Sequence, residues 1–115
     1  MIKLYPELNQ KILEIADGDE DFKIELTKAI HNGLTELKTV YSEGLVEHDE
    51  VKIQQIRHKL KPTLAMFEFE DLIIEMQIGK DIVESEGFTD HFTSHVVQLN
   101  SLLDNAIYNV SLLLK

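Results

Sequence analysis

His58 is the residue in this sequence best suited to carry a covalent step. It stands in the run Gln55-Ile56-Arg57-His58-Lys59-Leu60-Lys61-Pro62-Thr63-Leu64-Ala65, and an imidazole nitrogen is a capable nucleophile near neutral pH. Wound as a helix at about 100° per residue, the segment sets an apolar stripe of Ile53, Ile56, Leu60, Leu64 and Phe67 along one side. His58 points about 160° from the centre of that stripe, so it is predicted to face solvent. Lys61 follows one turn on, about 60° round, and Ala65 two turns on, about 20° round. The imidazole thus has an ammonium beside it, and a small residue leaves the surface open. A cation so placed stabilises the negative oxygens of a transferring phosphoryl group. Arg57 and Lys59 add positive charge in a chain of net charge −10. For an isolated H-x-x-K the plain alternative is a solvated face of charged side chains.

The other histidines offer less. His91 and His95 are spaced to share one helix face and could ligate a metal. Two ligands are not a site, and no histidine has a glutamate three residues before it, so a carboxylate-bridged di-iron pattern is absent. The expectation is no metal, with both residues at a surface or boundary near a helix start. His31 and His48 stand alone.

The elements that must position His58 follow from punctuation. The chain has 115 residues, 43% hydrophobic, with two prolines, five glycines and no tryptophan. That suits one domain, residues 1–115, of long helices with a core of Leu, Ile, Val and Met. A first helix is predicted over residues 5–16, with Pro6 in its first turn and Asp17-Gly18 closing it. A second spans 19–41 or slightly beyond, with acidic residues at its start and Gly44 near its end. Its stripe reads Phe22, Leu26, Ala29, Gly33, Leu37 and Val40. A third spans 49–67 with Asp49 as N-cap, and a fourth spans 68–85, built on Leu72, Ile73, Met76 and Val83. Thr89 caps a fifth that reaches nearly to Lys115, with Phe92, Val96, Leu99, Leu102, Leu103, Ile107, Val110 and Leu114 in its stripe. Long helices on short connections pack as antiparallel neighbours. The fold expected is all-α, an antiparallel four-helix bundle with an additional short N-terminal helix.

In that setting the segment H-K-L-K-P-T resembles the phosphoacceptor motif of histidine phosphotransfer domains. His58, Lys61 and Thr63 match the family pattern position by position. Upstream, I-A-D-G-D-E-D-F resembles the family's entry into its second helix; downstream, M-F-E-F-E-D-L resembles the stretch that follows its third. The resemblance implies that His58 accepts a phosphoryl group from a receiver-domain aspartate and passes it to another receiver. Lys61 would steady the phosphoryl oxygens. The partners implied are receiver domains of response regulators or hybrid sensor kinases. There would be no kinase activity, no nucleotide and no cofactor on this chain, the Mg2+ of transfer belonging to the receiver. Val51, Gln54, Arg57, Lys59, Pro62 and Ala65 would form the docking surface. On the helical wheel Val51 and Phe69 fall near the direction of His58, either as an apolar rim for a partner or as a helix-end contact with the neighbouring loop. Thr63 would be a weaker neighbour on the core flank.

Two positions depart from the pattern. Pro62 stands where glycine is common and removes the backbone bond to the His58 carbonyl, which should bend the helix. Glu68 replaces a frequent glycine. No residue clearly matches the family's polar fourth-helix residue; Gln77 and Lys80 are the nearby candidates.

Composition narrows the alternatives. A strongly acidic chain repels a phosphate backbone, so nucleic acid is not an expected partner. There are no cysteines, which removes disulfides and thiol catalysis. No apolar run approaches the ~20 residues of a membrane span, and the start lacks a signal peptide's apolar stretch. A cytoplasmic monomer is the simplest expectation. Two rival readings stay open. One is a non-catalytic helical adaptor that binds receiver-like signalling partners without transferring phosphate. The other is a metal-binding bundle dependent on His91 and His95.

Overall fold

The computed structural model describes residues 5–115. It contains the α-helices α1 (Leu8–Ala16), α2 (Glu20–Glu47), α3 (Glu50–Met66), α4 (Glu70–Glu86) and α5 (Asp90–Leu112), joined by connections of two or three residues. No strand occurs among the described residues, so the fold is all-α, as expected. No helix among them is long and apolar enough to cross a membrane.

Helix starts follow the capping chemistry of the sequence. The Asp19 carboxylate accepts the Phe22 N–H at 2.9 Å and the Asp49 carboxylate accepts the Lys52 N–H at 3.0 Å. Each satisfies a donor that the first turn of a helix leaves unpaired. Thr89 occupies the N-cap position of α5, but its side chain makes no capping hydrogen bond; Asp90 supplies negative charge in the first turn instead. Pro6 lies in the turn before α1 rather than inside it.

Two boundaries differ from expectation. α2 runs on through Gly44 to Glu47. Gly44 is buried, and a Cβ there would collide with the Ile53 side chain of α3, so the glycine permits a close helix crossing instead of ending the helix. His48 stops α2, in the left-handed conformation at φ 54°, with its N–H bonded to the Gly44 and Leu45 carbonyls. α4 begins at Glu70, later than residue 68, because Glu68 is itself left-handed at φ 57°. An L-residue is strained there and glycine is not. Glu68→Gly is expected to stabilise the fold by about 0.5–1 kcal/mol; an unchanged or lower denaturation midpoint in urea would contradict this.

The core is drawn from the inward faces of α2 to α5, with Leu8 and Ile12 of α1 added at the edge. α3 buries the expected Ile53, Ile56, Leu60 and Leu64, and Phe67 follows at its C-cap. α2 differs in part: Leu37 is buried and Leu26 and Val40 pack against the core as expected, but Ile30, Leu34 and Tyr41 are buried too, whereas Phe22 is 41% exposed and Ala29 is also exposed. Two apolar stripes overlap on this helix, and the one carrying the larger branched side chains faces inward. α2 packs on α1, α3 and α5, and α4 packs on α3 and α5.

Two side chains expected near the surface are in the interior. Phe69 is fully buried, its ring edge-on to Tyr5 at 4.8 Å between centroids. The Tyr5 hydroxyl donates to the Asp71 carboxylate at 2.8 Å, so the chain ahead of α1 is tied to the start of α4. Phe69 therefore forms no rim around His58. His95 is also buried. It stands three residues after Phe92 and four before Leu99, on the inward face of α5, and two polar partners meet its ring nitrogens.

Candidate functional site

His58 is exposed on the outer face of α3, as the apolar periodicity requires. Ile56 and Leu60 on either side of it point into the core. Pro62 lies within α3, which continues to Met66. Lacking an N–H, it leaves the His58 carbonyl without its helical partner, directly beside the exposed imidazole.

Between α3 and α4 lies a groove of about 240 Å³. α3 contributes Gln54, Arg57, His58 and Lys61 to its walls, and α4 contributes Gln77 and Lys80. Leu64, Ile73 and Met76 line it between these polar groups. No carboxylate lines it, in a chain of net charge −10. The groove collects Arg57, Lys61 and Lys80 around one imidazole, and such a setting favours an anionic group over a neutral one. His58, Lys61 and Lys80 make no hydrogen bond or ion pair among the described residues, so their polar atoms are available to a ligand. Gln77 donates to Asp81 one turn on at 3.0 Å, which fixes its side chain along α4.

The other residues expected at the docking surface are spread more widely. Val51 is 60% exposed near the start of α3 and lies outside the groove lining. Pro62 and Ala65 are exposed, also outside it. Lys59 leans the other way, to Glu36 of α2 at 2.7 Å, and Thr63 is half-buried. The fourth-helix pair Gln77 and Lys80, only loosely placed by sequence, stands across the groove from His58.

Metal binding through His91 and His95 finds no support in the geometry. His91 pairs with Glu86 at 3.1 Å on the surface, whereas His95 pairs with Glu75 at 2.7 Å in the interior. No group of three or more His, Asp or Glu side chains poised to hold a metal occurs among the described residues. The buried set Tyr41, Glu75 and His95 was not foreseen from the sequence. The spacing of His95 from Phe92 and Leu99 carried the signal, and so did Gly79, a helix-disfavouring residue in the middle of α4.

No protein-family model, no curated protein and no solved structure matches the chain.

Proposed function

We propose that this chain is a histidine phosphotransfer protein of a multistep phosphorelay. The observation that supports the reading best is an exposed imidazole in a groove lined by three cationic side chains and no carboxylate. In the reaction, the lone pair of a His58 ring nitrogen attacks the phosphorus of a receiver's aspartyl phosphate. The P–O bond to the aspartate breaks and the carboxylate leaves with the bond electrons. The second ring nitrogen gives its proton to water as the phosphoimidazole forms. The reverse attack, by the aspartate of another receiver, regenerates His58. Lys61, with Arg57 and Lys80 alongside, offsets the charge that gathers on the equatorial oxygens in flight. Mg2+ is supplied by the receiver, and this chain contributes no nucleotide site.

The helix packing fits an antiparallel four-helix bundle of α2 to α5 with α1 laid against α2. That architecture presents one long, rigid face around His58 to a receiver, with Val51, Gln54, Pro62 and Ala65 in reach of the partner. A monomer in the cytoplasm is the form in which such a relay would operate.

The deciding experiment is transfer from a phosphorylated receiver domain, followed by mapping of the label. An acid-labile, base-stable label on His58 is the expected result. No label from several receivers, with a known phosphotransfer domain labelled in parallel, would instead leave a non-catalytic adaptor that binds receiver-like partners.

A further inference from the structure

α4 supplies one wall of the groove, yet α3 and α4 pack against each other less extensively than any other pair of contacting helices, whereas α4 and α5 pack closely. The position of that wall is therefore set from the α5 side. Three polar groups do the setting. His95 Nδ1 is 2.7 Å from the Glu75 carboxylate, and His95 Nε2 is 2.7 Å from the Tyr41 hydroxyl. The His95 side chain is 1% exposed and that of Glu75 14%. A carboxylate only accepts, so Nδ1 carries the ring proton and Nε2 accepts the Tyr41 O–H. Gly79 lies flat against the pair. A Cβ there would fall inside the His95 ring contact and 2.6 Å from the Tyr41 hydroxyl oxygen. Lys80 is the next residue, and Met76 and Gln77 lie within one turn, all lining the groove.

We propose that His95, held between Tyr41 and Glu75, is a positioning residue for the groove: its neutral ring seats α4 so that Gln77 and Lys80 stand across from His58 and Lys61, and protonation of that ring unseats α4. The functional consequence rests on the phosphotransfer reading; the seating itself does not. In the protonated ring Nε2 becomes a donor to Tyr41. The phenol hydrogen then loses its acceptor and must turn away beside Gly79, which stands so close that an added Cβ would lie 2.6 Å from the hydroxyl oxygen.

The charges around this set come from each helix packed there. Tyr41 of α2 and Glu75 of α4 touch the ring. Burial pushes the His95 pKa below the ordinary imidazole range, the hydrogen bond and charge of Glu75 oppose that push in part, and His91 on the same helix adds to it. Burial pushes the Tyr41 phenol well above its ordinary range; the positive charge of Arg57, from α3, works against this, and the negative charge of Glu75 adds to the upward push. Arg57 also lines the groove, which gives the buried set a second link to the site. Because the folded state holds His95 neutral more firmly than the unfolded chain does, its contribution to stability is complete above about pH 6.5 and is lost as the pH falls through the depressed folded pKa.

The test is an NMR titration of the His58→Gln variant, so that His58 does not contribute, beside the same titration with His95→Gln added. Glutamine can donate to Glu75 and accept from Tyr41 without titrating. The expected result is that the amides of Gln77, Gly79 and Lys80 shift with the midpoint of the His95 ring, and that the shifts vanish with His95→Gln. With His58 intact, loading from a phosphorylated receiver should match between wild type and His95→Gln at pH ~8 but differ by about fivefold or more below the His95 midpoint that the titration gives, the low end of couplings between sites. Amides that ignore the His95 midpoint, or two loading profiles of equal steepness, would overturn the proposal. Should His95→Gln fail to fold, Tyr41→Phe carries the same comparison, since it removes the hydroxyl that must turn. Absence of loading at every pH, with the α4 amides still following His95, would refute phosphotransfer and uphold the seating.

Discussion

His58→Gln is expected to abolish acceptance of phosphate while leaving the fold in place. The loss should be complete because no other side chain in the groove offers a neutral nitrogen nucleophile; Arg57, Lys61 and Lys80 are cations and the glutamine amides are poor nucleophiles. The stability change should stay within about 0.5 kcal/mol, the range for surface substitutions, since His58 is exposed and makes no hydrogen bond among the described residues. Leu60, two residues on, marks the contrast: it is buried in the core, and truncation to alanine would cost roughly 2–5 kcal/mol. A label-transfer assay and a thermal melt on the same preparation check both halves. A melting temperature that falls as far as that of a core truncation would contradict the outward orientation of the ring.

Lys61→Ala should slow loading by about ten- to a hundredfold, somewhat under the loss seen when a donor is removed from a water-excluded oxyanion site. The groove is open to solvent, which weakens each charge–charge interaction. Receiver affinity should change much less, because the ammonium acts chiefly on charge that develops during transfer. Single-turnover loading measured across receiver concentrations separates the two. The limiting rate should drop while the half-saturating concentration holds. A shift confined to the half-saturating concentration would make Lys61 a docking contact instead, and Lys80→Ala offers the same comparison from the opposite wall.

The sequence carried the helices and the orientation of α3 well, since both depend on short-range regularities. Asp49 caps as expected, and the stripe from Ile53 to Phe67 fixes His58 outward without reference to any other helix. What it carried poorly depends on neighbours distant in the chain. In the sequence Gly44 marks only the neighbourhood of the α2 end; its role is set by Ile53 across a helix crossing. The inward side of α2 is legible only in part, at Leu26, Leu37 and Val40, because two apolar stripes compete there and the packing of α3 and α5 decides between them. Lys80 needed the α3–α4 groove before it could be set opposite His58. His95 was misplaced because its type suggests a surface, whereas Tyr41 and Glu75, 54 and 20 residues away, make burial tolerable.

The pattern of helix contacts also bears on how the chain reaches this form. α1 with α2, α2 with α3, α3 with α4 and α4 with α5 are all neighbours in sequence, and each pair can zip together across a short turn. Such local pairings cost little loop-closure entropy and suit folding in about microseconds to milliseconds. The exception is α5 against α2, where the two ends of the chain's long excursion meet. The Tyr41–His95 hydrogen bond lies on that seam. The contact that orders the buried polar set thus closes a longer loop than any pairing of consecutive helices, and the groove's second wall is seated where α5 has returned to α2.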